Sequence, residues 1–158
     1  MTIQMFLQLD GIEGESSDAH HRGEIDITGW AWGLSDSPSA TGAGGAGAGK
    51  VSIRDIAIQK PMDLASPLLM AFAAEGRHIA SGAITNRRTS GGEFLVVRLS
   101  DIAITSVGET AAHEANQVVE TLTLAFGKVE LDYRPTVVNG SLGPQKTFRW
   151  DGGKNEPF

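Results

Sequence analysis

Cysteine is absent from the 158-residue chain. Its absence excludes disulfides, thiolate metal sites and a cysteine nucleophile, and leaves reducing and oxidising compartments equally open. Basic residues are sparse: 13 Lys and Arg stand against 19 Asp and Glu, singly or in pairs such as Arg87 and Arg88, for a formal net charge of -6. A nucleic-acid interface needs a dense basic face, so the composition argues against that partner. No apolar run approaches the roughly 20 residues of a membrane span. The N-terminal stretch "MTIQMFLQLDG" has no basic segment, and Gln4, Gln8 and Asp10 interrupt its apolar residues. It does not read as a secretory signal peptide. The expectation is a protein made in the cytoplasm, without membrane insertion, that leaves only by a route that reads the folded molecule.

What is present in excess is glycine, 20 residues, nearly twice the usual share of about 7%. No span sustains helical apolar periodicity, so many short strands joined by turns are expected, in one domain over 1–158. In "IQMFLQL", Ile3, Met5, Leu7 and Leu9 alternate with polar positions, as in a strand with one buried face. "EIDITGWAWGL" places Ile25 and Ile27 on one face and Trp30 and Trp32 on the other, with Gly29 as a candidate bulge. "KVSIRDIAIQK" changes phase in the same way, Val51 and Ile53 against Ile56 and Ile58. Further β regions are "HIASGAITNRR", "GEFLVVRLSDIAITSV" and "VVETLTLAFGKVELDYRP", the last with a bend expected at Gly127. The segment 136–158 is turn-rich, with one short apolar piece at Phe148 and Trp150 and frayed terminal residues. One helix is predicted, with Ser66 as N-cap, Pro67 at the first position and Gly76 as its stop. "PLLMAFAAE" is apolar nearly all round. A surface helix normally keeps a polar face, so burial against its own sheet and against another subunit is expected.

The stretch "TGAGGAGAGKV" matches G-x-G-x-x-G at Gly42, Gly44 and Gly47, and Gly44, Gly49 and Lys50 come within one residue of a P-loop. Both motifs need a helix opening after the glycines, because its free N–H groups hold the phosphate. Here a strand pattern follows, and Val51 stands where a P-loop needs a hydroxyl. The better reading is a Gly/Ala loop over 35–49, long enough for function or disorder to be expected of it. His20, His21, His78 and His113 form no metal motif and read as solvated loop histidines. G-x-S-x-G is missing. The pairs Glu13/Glu15 and Glu24/Asp26 read as solvated like charges rather than a glycosidase pair. Trp30 and Trp32 either fill a core or stack on sugar rings, a β-sandwich carbohydrate-binding module being the alternative reading. A hydrolase assembled from histidines and carboxylates across the fold is the third. No cofactor or metal is expected.

An ordered set of segments resembles the haemolysin-coregulated proteins (Hcp) of bacterial type VI secretion. The set comprises "GIEGES" at 11–16, Asp18, "EIDI" and "WAWG" within 24–33, "GKV" at 49–51 and "DLASPLLM" at 63–70. It continues with "GRH" at 76–78, "SDIAITSV" at 100–107, "LTLAFGKVELDYRP" at 122–135, "GSLG" at 140–143 and Trp150. The chain departs from the family pattern in having no cysteine on the helix and in "TNRRTSGG" at 85–92. The resemblance implies a mainly β fold, a compact antiparallel β-barrel with one short α-helix, assembling as a hexameric ring. It implies a structural role rather than an enzyme: rings stack into an inner tube, are propelled with a spike by a contractile sheath, and carry small effectors in the lumen. No fused effector domain is expected after the tube domain. On that reading Trp30 and Trp32 pack in the barrel, Ala31 faces the lumen, and Ser35, Gly44, Gly49, Met70 and Ala74 are subunit or ring contacts.

Overall fold

Alternation is converted into a curved sheet whose two ends belong to one continuous piece of chain. The computed structural model describes residues 2–37 and 50–158. Its elements are β1 (Ile3–Leu9), β2 (Ile25–Ile27), β3 (Gly29–Ala31), β4 (Leu34–Ser37), β5 (Lys50–Ile53), β6 (Ile56–Pro61), α1 (Ser66–Glu75), β7 (His78–Arg88), β8 (Glu93–Thr110), β9 (Val119–Tyr133) and β10 (Lys146–Asp151). The main sheet is antiparallel and runs β2-β1-β7-β8-β9-β6-β3, with β10 also paired to β9. Because only Thr28 separates β2 from β3, the segment pairs with β1 on one side and crosses to β6 on the other. Thr28 secures the crossing by donating both its N–H and its hydroxyl to the Gln59 carbonyl, at 2.8 and 3.1 Å. The barrel is thereby nearly closed, which removes most of its free edges.

The expected bulge at Gly29 is this change of partner, and the phase change in "EIDITGWAWGL" comes from two strands, not one. "KVSIRDIAIQK" divides for the same reason into β5 and β6 at Arg54 and Asp55. β4 and β5 form a separate two-stranded sheet in which Ser35 faces Ser52. Residues 35–37, read from sequence as part of an unstructured loop, are therefore strand; Gly44 and Gly49 lie outside the described residues.

The bend at Gly127 is a coordinated one. Inward positions shift phase along β8 from Val97 and Leu99 to Ile102 and Ile104, and along β9 from Leu122 and Leu124 to Val129. Opposite Gly127, Asp101 takes a left-handed φ of 54°, a conformation that Asp tolerates better than most residues. A Cβ at Gly127 would lie 3.3 Å from that of Asp101. On either side of the bend the same edge of β9 serves two partners, β6 over 119–124 and β10 over 128–133. The short apolar piece at Phe148 and Trp150 is thus a strand.

Among the described residues, nineteen that are buried form the core cluster, with Leu69 and Phe72 of α1 reaching into it beside β8. Gly76 ends α1 at φ 63°, and the Arg77 N–H reaches back to the Phe72 carbonyl at 3.0 Å, as expected of a glycine stop. The start differs from expectation. Ala65 is the N-cap and gives no side-chain cap, while Ser66 is the first helical residue and fully buried. Its hydroxyl is taken by the Asp63 N–H at 2.9 Å and by Lys60 Nζ at 3.3 Å, because a buried ammonium needs acceptors more than a helix end does.

Candidate functional site

The strand pairing brings small, uncharged residues together on the outer face of β3, β6 and β9. Ala31 lies opposite Ala57, and Ala57 opposite Thr123; the neighbouring row is Gly29, Gln59 and Thr121. Ala31 and Thr121 are exposed, and with Gly29, Trp30, Ala57, Ile58 and Gln59 they line a shallow concavity of about 330 Å³. Hydroxyl contacts of Thr123 with Thr105 and Ser106, each 2.6 Å, continue the face onto β8, where the Thr105 hydroxyl also meets the Asp55 carboxylate at 2.7 Å and the uncharged strip ends. Elsewhere the outside is charged: Arg98, Glu130 and Arg149 stand in register across β8, β9 and β10, with Arg98 bonded to Asp132 and Arg149 3.4 Å from Glu130. Asp132 sits below its ordinary range because donors from Thr147 and Arg98 outweigh the opposing effect of burial.

Trp30 and Trp32 pack against the core cluster and are half-buried. Both indole N–H groups are occupied within the fold: Trp30 donates to Asn86 Oδ1 and Trp32 to the Arg54 carbonyl, each at 2.9 Å. Trp32 also meets the rings of Phe126 and Phe148 at 6.1 and 6.5 Å. Met70 and Ala74 are exposed on α1, where Leu68 is exposed as well. Among the described residues, therefore, only one side of this largely apolar helix is covered. Ser35 is exposed on β4.

The histidines divide. His20 and His113 are exposed, and His78 meets Asp101 at 2.8 Å in an exposed pair. His21 corrects the reading of a solvated loop residue: it is 6% exposed and stacks on Phe6 at 4.3 Å. Its two ring nitrogens meet Glu24 at 3.0 Å and Glu93 at 2.8 Å. Beside it, Arg87 reaches Asp18 and, at 2.7 Å, Gln4. The Arg87 guanidinium holds the Asp18 carboxyl well below the usual carboxylate range. These contacts anchor the glycine-rich segment after β1 to the β7–β8 hairpin, and no group of three His, Asp or Glu among the described residues is arranged to hold a metal ion.

Sequence reasoning also missed a row of charge inside the barrel. Lys60 and Glu120 are fully buried and directly paired across β6 and β9, with Nζ to Oε1 at 2.7 Å. Lys60 also reaches Asp63 at 2.8 Å. The signal was present in the alternation itself: Lys60 continues the inward phase of Ile56 and Ile58, and Glu120 that of Leu122 and Leu124.

A nearly closed barrel with, among the described residues, one helix whose apolar surface is only partly covered, and an outer strip of small residues, define a protein that works through its surfaces. The family model described as "Type VI secretion system effector, Hcp" matches residues 6–133. The chain belongs to this family and is an Hcp-type tube protein of type VI secretion. It is 34% identical to Protein hcp1 of Pseudomonas aeruginosa over 98% of both chains. Among solved structures it is similar to Hcp1 of Salmonella typhimurium, with TM-score 0.84 and 30% identity over 100% of both chains. It is similar also to a type VI secretion system effector from Yersinia pestis, with TM-score 0.78 and 28% identity over 93% of this chain and 98% of that one.

Proposed function

We propose that six copies of this chain close into a ring, and that rings stack into the inner tube that the type VI machinery drives outward with its spike and contractile sheath. The observation that carries this reading is the contrast between faces. A surface that only solvates a monomer has no reason to present Gly29, Ala31, Ala57, Thr121 and Thr123 together beside strands rich in paired charge. Such a strip suits the wall of a channel through which small effector proteins are carried, because it offers passengers neither strong ion pairs nor deep apolar traps. Leu68, Met70 and Ala74 on the uncovered side of α1 suit a subunit contact, and Ser35 on the β4–β5 hairpin suits a contact between rings or subunits. Gly44 and Gly49 are assigned the same role from sequence. The role is structural, without a catalytic step.

Negative-stain images and native mass of the purified protein test the assembly. Sixfold rings with a central hole are expected; a monomer under every condition sinks the reading. Because the chain has no cysteine, Ala31→Cys and Trp30→Cys give clean labelling sites. Rapid maleimide labelling is expected for Ala31→Cys and not for Trp30→Cys, and the reverse pattern would remove Ala31 from the channel wall.

A further inference from the structure

The row of charge runs on from the buried pair Lys60 and Glu120 to an exposed carboxyl group, that of Glu109. In the β8–β9 register Glu109 stands directly opposite Glu120, so the two side chains leave the sheet on the same face. Lys60, Glu120 and Glu109 thus form one line across β6, β9 and β8, and Asp63 and Ser66 close over it from the start of α1. One ammonium stands beside three carboxyl groups and contacts two of them, those of Asp63 and Glu120. Lys60 is occupied by Asp63, Ser66 and the Oε1 atom of Glu120. The other Glu120 oxygen, Oε2, is buried without a hydrogen-bond partner among the described residues. A buried carboxylate oxygen left unpaired is costly, and two facing carboxylates repel one another. A proton on Glu109 answers both problems, since it supplies the missing donor and removes one negative charge.

We propose that Glu109 and Glu120 share one proton, and that its loss loosens the start of α1 from the sheet. The proton completes the row; Lys60 then holds Asp63 and Ser66, which fix the turn through the Ala65 N–H on Asp63 at 3.0 Å and the Asp63 N–H on Ser66 at 2.9 Å. The groups facing Glu109 are Glu120 from β9, Lys60 from β6 and Asp63 from the turn before α1. Partial desolvation and the facing Glu120 carboxyl, with the negative charge of Asp63 beyond it, push the Glu109 carboxyl up to about 7, against the opposing pull of Lys60. Burial acts to raise Glu120, but the neighbouring polar groups, the Lys60 ammonium bonded to it among them, outweigh burial and leave that carboxyl lowered.

The two shifts act in opposite directions. Glu109 binds its proton more tightly in the folded chain, so its stabilisation is present below its ordinary value of 4.5 and is lost as pH rises through about 7. The contribution of Glu120 is present above its own ordinary value and is lost only as pH falls below it. A window from pH 5.5 to 8.5 therefore separates Glu109 from Glu120, and comparison with a non-titrating variant at that position removes what the two proteins share. In Glu109→Gln the amide donates permanently and cannot titrate. At one fixed protein concentration, the Tm of the wild type is expected to fall relative to Glu109→Gln by about 2–4 °C across that window, the size of a 1 kcal/mol effect in a chain of this length. Over the same window, the amides of Asp63 and Ala65 are expected to lose protection from hydrogen exchange in the wild type alone. Parallel profiles for the two proteins overturn the proposal. Carbon-13 titration of the Glu109 carboxyl in the wild type needs no variant to fold: a midpoint near neutrality supports the shared proton, and one in the ordinary carboxylate range overturns it.

Discussion

Lys60 shows how much one residue in this chain can matter. Its ammonium is enclosed by Glu120, Asp63 and Ser66, so removing it leaves buried carboxylates without their counter-charge. Lys60→Met is expected to destabilise the fold by about 3–5 kcal/mol, the cost of breaking a buried pair from one side. The double change Lys60→Met with Glu120→Leu should recover a large part of that loss, because an apolar replacement of both partners removes the desolvation penalty together with the attraction. Urea unfolding of the three proteins checks this, and equal losses in the single and double variants would show that the pair matters through packing alone. His21 teaches the same lesson on a smaller scale. Nothing in "AHHRGE" distinguishes His21 from its exposed neighbour His20; only the β7–β8 hairpin, which delivers Glu93 from 72 positions away, turns one of the two inward.

At the level of elements, the segment after β1 is held by close backbone approach. Gly14 donates to the Gly23 carbonyl at 2.7 Å, and a Cβ on Gly14 would fall 2.5 Å from the Glu24 carbonyl oxygen. Backbone cannot give way as a side-chain tip can, so Gly14→Ala is expected to cost about 1–3 kcal/mol and to release the segment that carries His21 and Asp18. Thermal unfolding together with hydrogen exchange over residues 10–24 measures it; an unchanged Tm would mean that the segment relaxes freely. Most strands were legible from alternation, as were the helix with its glycine stop and the bend at Gly127. The divisions at Thr28 and at Arg54–Asp55 were not. A change of phase in sequence is the same whether a strand bulges or changes partner, and the difference lies in which neighbour supplies the hydrogen bonds. The N-cap was misplaced for a related reason, since the preference of Ser66 for a helix end was overridden by an ammonium from β6.

For the whole molecule, the uncovered side of α1 sets an expectation about assembly. Met70→Glu places a charge on an exposed apolar position that the single chain does not need for its own core. The expected outcome is a lower native mass with an unchanged far-ultraviolet circular dichroism spectrum, and with it a Tm that no longer rises with protein concentration. Retention of the wild-type mass would move the subunit contact away from this face. Alternation in "GWAWG" turns the small Ala31 away from the two tryptophans but gives no sign of the strip around it. Ala31, Ala57 and Thr123 are far apart in sequence and individually bland, and only their adjacency makes them a surface.

Sequence by itself determined the mainly β character, the single helix, the family, and the face of the strand on which most side chains lie, because a period of two fixes side-chain direction without reference to any other strand. Tertiary structure decided which strand lies beside which, and with it the closure through Thr28, the burial of Lys60, Glu120 and His21, and the assembly of the uncharged strip. Each of these depends on a contact between distant segments, and local periodicity carries no record of the neighbour.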